Sequence, residues 1–150
     1  MPTLRARGTT FDAIQPGDNL PILIKEESPF SFNLCRSLLT PEGETPRLVK
    51  PPTGPDDKDT PREDNGGMPV AAYMAELLEK VFGTRALTRP GGRLQVESKL
   101  PFRIGDVASF SGQVAAKRDE GGKHLVDLEL NASNYQGKTI ASGRATVVMA

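Results

Sequence analysis

Tryptophan is absent from this chain of 150 residues, and cysteine and histidine occur once each, as Cys35 and His124. A single cysteine excludes an intramolecular disulfide and suits a reducing compartment. Charge of one sign is also missing: 19 Lys and Arg balance 19 Asp and Glu, with a pI near 6.6. The basic residues are scattered rather than striped, which argues against a nucleic-acid backbone or an anionic membrane as the main partner. No apolar run approaches the roughly 20 residues of a membrane-spanning helix. Residues 1–7 lack the apolar core of a secretory signal, so a cytoplasmic location is expected. Apolar residues make up only 37% of the chain, enough for one domain with one core over residues 1–150. Neither a metal site nor a resident cofactor is expected.

Periodicity is what the chain does have. Gly66-Gly67-Met68-Pro69 opens a long amphipathic helix with Val70, Tyr73, Met74, Leu77, Leu78 and Val81 on one face, and Gly83 closes it. The first N–H groups of such a helix have no intrahelical partner and carry the positive end of the dipole, so a carbonyl oxygen placed there would be polarised. Beyond the helix the period changes to two. Strands are read over 93–100, 107–117, 123–134 and 139–149, with Val126, Leu128 and Leu130 inward against Asp127, Glu129 and Asn131. Turn chemistry separates them at 104–106, 119–122 and 135–138, and links this short require antiparallel neighbours. The helix is the only element long enough to cover the buried side of the sheet. Small residues at Gly112, Ala141, Gly143 and Ala145 are expected to let it approach. The fold class is therefore α+β, a curved antiparallel sheet around a long central helix, the hotdog arrangement.

Upstream, residues 1–10 read as a loose arm, 15–18 as a turn and 20–24 as a short strand. Ser28-Pro29 starts a short helix with Phe30, Leu34 and Leu38 at helical spacing. Residues 40–65 hold six prolines, seven acids and four bases, and are expected as a surface flap or a disordered loop.

Four stretches carry a family resemblance: Phe11 to Pro21, Gly67-Met68, Leu100-Pro101-Phe102-Arg103-Ile104-Gly105-Asp106, and Asn134 to Gly143. In order and spacing the chain resembles the MaoC-like hotdog proteins, which include the (R)-specific enoyl-CoA hydratases and 3-hydroxyacyl dehydratases. The resemblance implies an acyl thioester of CoA or of an acyl carrier as substrate, in fatty acid metabolism. It also implies a homodimer, or a heterodimer with another hotdog subunit. Gly66, Gly67 and Met68 would be the substrate-binding residues, their N–H groups holding the thioester carbonyl. The alternative for the glycines is that they only let the chain turn tightly into the helix.

The family's water-activating pair resembles an Asp followed by a His, on the loop before the hotdog helix. The matching window, residues 41–50, contains neither. Carboxylates that remain as catalytic candidates are Glu76, Asp64 and Glu44, each with a plain alternative. Glu76 forms an i,i+4 pair with Lys80, Asp64 caps the helix start, and Glu44 is solvated. His124 reads as an edge residue beside the Gly121-Gly122 turn, and Cys35 as a buried small residue. Three functions follow: a hydratase or dehydratase with rearranged acids, a non-catalytic subunit paired with a dyad-bearing hotdog chain, and an acyl-CoA thioesterase working through Glu76.

Overall fold

The structure is a computed structural model and describes residues 2–4, 9–49 and 64–150. After a short 3-10 turn at Phe11–Ala13 come β1 (Leu23–Glu26), α1 (Pro29–Leu39), α2 (Met68–Phe82), β2 (Arg93–Ser98), β3 (Val107–Glu120), β4 (Lys123–Asn134) and β5 (Thr139–Met149). The strands form one antiparallel sheet in the order β1-β3-β4-β5-β2. The β3–β4 hairpin closes on Gly121 and Gly122, whose φ values of 59° and 78° are the left-handed pair that a tight two-residue turn requires. The expected α+β hotdog architecture is present: α2 lies against the sheet, which supplies most of its burial.

The apolar stripe of α2 meets the inward residues of the strands. Val70, Met74, Leu77, Leu78 and Val81 are buried, and so are Val126, Leu128, Leu130, Ala132, Ala141, Ala145 and Val147. Gly143 sits directly under the helix, and a Cβ there would stand 2.9 Å from Met74 Sδ and 3.2 Å from the Gln95 carbonyl oxygen. Gly112 does a different job from the one expected. A Cβ there would meet Leu130 Cδ2 at 2.7 Å and Leu20 Cδ1 at 2.9 Å, so it makes room for the incoming loop rather than for the helix.

Differences from the sequence reading lie upstream and at strand ends. The short helix expected after Ser28-Pro29 is α1, but Phe30, Leu34 and Leu38, at helical spacing along it, are 77%, 53% and 79% exposed, and Phe32 is the side chain that α1 buries. Leu20 is buried, but β1 starts only at Leu23 and leaves Ile22 and Ile24 exposed. β2 stops at Ser98, so Leu100 lies beyond it, and β3 runs on to Glu120. Of the segment 40–65, residues 50–63 lie outside the described residues, and with them Asp56, Asp57, Asp59 and Glu63. Its first part is tied down: Asn33 Nδ2 donates to the Val49 carbonyl at 2.8 Å, and Val49 N–H donates back to Asn33 Oδ1 at 2.9 Å. Among the described residues no helix is long and apolar enough to cross a membrane.

The tight seat of Met74 over Gly143 generates the first prediction. Gly143→Ala is expected to lower stability by about 1–3 kcal/mol, the usual cost of overpacking. In a Met74→Ala background the cost should shrink by about 1 kcal/mol, because the clashing sulfur is gone. Urea unfolding of the four proteins in the cycle checks it, and an undiminished cost would mean that the Gln95 carbonyl sets the limit.

Candidate functional site

Three of the singled-out segments meet at one end of the sheet. Glu27, just past β1, donates its N–H to the Asp106 carbonyl at 2.9 Å and accepts from Gly105 N–H at 2.8 Å. Asp64 forms an isolated bridge with Arg103. The 103–106 turn, the exit of β1 and the approach to α2 therefore share a corner, and α1 closes it. The Asn65 side chain is buried there. Its Nδ2 donates to the Phe32 carbonyl at 2.9 Å and its Oδ1 accepts from Arg36 Nε at 2.8 Å. These contacts anchor α1 to the residue immediately before Gly66-Gly67.

The two helix starts at this corner are built differently. Ser28 caps α1 with a full capping box: its Oγ accepts from Ser31 N–H at 3.0 Å, and Ser31 Oγ accepts from Ser28 N–H at 2.9 Å. At α2 the N-cap is Gly67, no side chain caps the helix, and no acidic residue lies in its first turn. Asp64 Oδ1 accepts from Gly66 N–H at 2.7 Å, so Gly66 is already engaged. Pro69 has no N–H to offer. With Gly66 engaged and Pro69 lacking an N–H, Gly67 and Met68 are the candidate donors of the α2 start; no side chain caps them, and Met68 is half-exposed.

Of the acids named from sequence, Asp64 is at the corner as a turn-former. Glu44 is exposed, and its N–H closes a turn onto the Pro41 carbonyl at 3.1 Å. Glu76 shows the expected pair with Lys80 at 3.4 Å, and also an unforeseen one with Lys25 of β1 at 2.9 Å. Partial burial pushes the Glu76 carboxyl up, but the hydrogen bond and charge of Lys25, then those of Lys80, outweigh it and hold it below the ordinary range. His124 pairs through Nδ1 with Asp119 and stacks on Phe11 at 4.4 Å between centroids. That Asp–His pair sits at the opposite end of the sheet. It is eight residues along β4 from Ala132, which pairs with Ala141 near the α2 start, and at strand rise this is about 26 Å. Burial and the charge of Glu27 push the Cys35 thiol up, more than Arg36 and Asn65 lower it, so this sulfur is a poor nucleophile.

Glu27 escaped the sequence reading. It is 1% exposed and hydrogen-bonded through Oε1 to Ser31 Oγ. Burial pushes its carboxyl above the ordinary value, and the Ser31 hydrogen bond only partly offsets this. Tyr73 of α2 lies on the same side: its phenol is pushed up by burial and by the Glu27 charge, with hydrogen bonding to Ser31 acting the other way. The Tyr73 ring packs edge-on against Phe102 and Phe110, at 6.2 and 5.6 Å. A period-two extension of β1 would have flagged Glu27, because Leu23, Lys25 and Glu27 alternate on the inward side.

No protein-family model and no curated protein sequence matches the chain. Solved structures do resemble it. The R-hydratase PhaJ1 from Pseudomonas aeruginosa superposes with a TM-score of 0.63 at 13% identity, over 93% of this chain and 84% of the other. A MaoC-like dehydratase from Rhodospirillum rubrum gives 0.63 at 15%, over 95% and 97%. A chain of the ChsH1-ChsH2 complex from Mycobacterium tuberculosis gives 0.56 at 15%, over 91% and 98%. At these identities the likeness establishes the hotdog fold.

The raised Glu27 carboxyl links stability to pH. The folded protein holds this proton more tightly than the unfolded chain does. The contribution is therefore fully present below about pH 4.5 and lost as pH rises through the folded value. Glu27→Gln keeps the shape and removes the titration. Thermal unfolding at acid and mildly alkaline pH is expected to show the variant gaining on the parent as pH rises. Parallel curves would mean that Glu27 titrates normally.

Proposed function

We propose that the protein binds acyl thioesters, of CoA or of an acyl carrier, as a hotdog protein of the enoyl-CoA hydratase and 3-hydroxyacyl dehydratase type. The observation that carries this reading is the open start of α2. Gly67 and Met68 present backbone donors at the positive end of a buried helix, with no side-chain cap and no acid in the first turn. A thioester carbonyl fits that position, and charge developing on its oxygen during hydration or dehydration would be held by the same N–H groups. The likeness of the whole chain to solved R-hydratase and MaoC-like dehydratase structures supports the same reading.

The second reading is a subunit that binds the thioester and relies on a dyad-bearing hotdog partner. It is favoured by the absence of an Asp–His pair at the α2 start among the described residues, the one such pair standing at the far hairpin. A solved complex of two different chains, ChsH1-ChsH2, provides the parallel. The thioesterase reading has less behind it, since Lys25 and Lys80 clamp the Glu76 carboxylate.

Calorimetric titration with butyryl-CoA, which has no double bond to hydrate, tests binding alone. A Cβ at Gly67 would lie 3.4 Å from Ser98 Cβ, an ordinary contact, so the fold accepts a methyl group there. Gly67→Ala is expected to crowd the donor pair and weaken binding by about tenfold or more, which is ~1.4 kcal/mol, while the melting temperature falls by only a few degrees, as loss of a glycine N-cap would cause. Absence of binding by the folded parent would remove the reading. Binding without turnover, together with co-purification of a second hotdog chain, would select the subunit form.

A further inference from the structure

Two carboxylate oxygens among the described residues are buried with no hydrogen-bond partner, Asp18 Oδ1 and Glu27 Oε2. Asp18 has a structural occupation. Its Oδ2 accepts from Gln15 N–H at 2.8 Å and closes the 15–18 turn, which is bonded to Val114 in the middle of β3. Glu27 has no turn to close through its side chain. It stands on the α1 side of the corner: Ser31 binds its carboxylate, and the carbonyl of the next residue, Phe32, accepts from Asn65, which leads into Gly66, Gly67 and Met68. Retaining an ionisable group there is costly unless something meets the free oxygen.

We propose that Glu27 is the water-activating carboxylate of the acyl-thioester site, with Ser31 as its positioning residue. This rests on the acyl-thioester reading above. Ser31 Oγ takes up Oε1, which fixes the carboxylate plane and leaves Oε2 as the reacting oxygen. Ser31 is held in turn by the α1 capping box, so its rotamer is set by the helix start. Cys35 from α1 and Tyr73 from α2 are the titratable groups that feel the Glu27 charge, and burial keeps both protonated at neutral pH. Arg36 of α1 binds Asn65 and lies over the ring of Phe32, and Lys25 binds Glu76. A desolvated carboxylate in such surroundings has its proton affinity moved toward the working pH of a general base.

The chemistry balances with water as the only co-reactant. Glu27 Oε2 takes a proton from water as the water oxygen bonds to the β-carbon of a 2-enoyl thioester. The pair of the carbon–carbon double bond moves onto the α-carbon and thioester oxygen, where Gly67 and Met68 N–H hold the charge. Glu27 then gives its proton to the α-carbon. The product is the 3-hydroxyacyl thioester, and the carboxylate is restored. The reverse sequence is dehydration.

Hydration of crotonyl-CoA, followed by loss of the conjugated-thioester absorbance, tests the proposal beside butyryl-CoA binding. Glu27→Gln is expected to lose hydration by about 100-fold or more, within the range of general acid–base catalysis, while butyryl-CoA binding changes by less than about threefold. Should that variant fail to fold, the pH dependence of kcat/KM decides. The Ser31 hydrogen bond lowers the Glu27 value, so Ser31→Ala should move the acid limb to higher pH, a shift that a merely structural serine would not cause. Full activity in Glu27→Gln, or an unmoved acid limb in Ser31→Ala, overturns the assignment. A parent that binds butyryl-CoA but hydrates no enoyl-CoA of any length also overturns it and leaves the binding reading standing. A parent that binds neither thioester removes both.

Discussion

Everything in this fold depends on laying one amphipathic helix against the inward face of a five-stranded sheet. Each Val, Leu or Met side chain that α2 buries contributes about 1.5–3 kcal/mol relative to exposure. The gain is available only because Gly143 admits Met74 within contact of the β5 backbone. That seat aligns the start of α2 with the strand ends at Ser98, Val107 and Asn134. The functional corner is a consequence. Where α2 begins, the sheet also ends, and the connecting segments must converge there.

Legibility from sequence follows from the same constraint. β4 was readable because Val126, Leu128, Leu130 and Ala132 are buried while Asp127, Glu129 and Asn131 between them are not, whereas β5 is buried at Ile140, Thr146 and Val148 as well, so its bounds were legible from its turns rather than from alternation. α2 was readable because its stripe is continuous. α1 shows where periodicity stops informing. Spacing identifies an apolar stripe but does not say what covers it, and Phe30, Leu34 and Leu38 face outward while Phe32 anchors the helix. Gly112 was misread for a similar reason: a small residue in a strand signals a close approach, and the approaching group turned out to be Leu20.

The site was half legible. The glycines before α2 are punctuation that any reading would notice. The buried carboxylate of Glu27 is not, because Glu26-Glu27 looks like a solvated pair until the phase of β1 is carried one residue past its end. Fold likeness alone would not have supplied it either, since the window in which related chemistry is expected holds no Asp and no His.

The contrast between the two helix starts gives the corner its functional direction. At α1, serines satisfy the N-terminal donors internally, and the same Ser31 hydroxyl holds one oxygen of Glu27. At α2, reached from α1 through Asn65, the cap is glycine and the second helical residue is proline, so no side chain caps the helix and the first turn holds no acid, the Asp64 carboxylate being taken up by Gly66 N–H. One helix start is spent on fixing a carboxylate, and the other is left open. A glycine N-cap costs only roughly a few tenths of a kcal/mol against serine, so the open start of α2 is cheap to keep. The uncapped α2 start and the unpartnered Glu27 oxygen lie on the two helices that Asn65 joins. On the proposed reading a thioester carbonyl would answer the first and a water molecule the second, and the reaction that would join them is addition of that water across the neighbouring double bond.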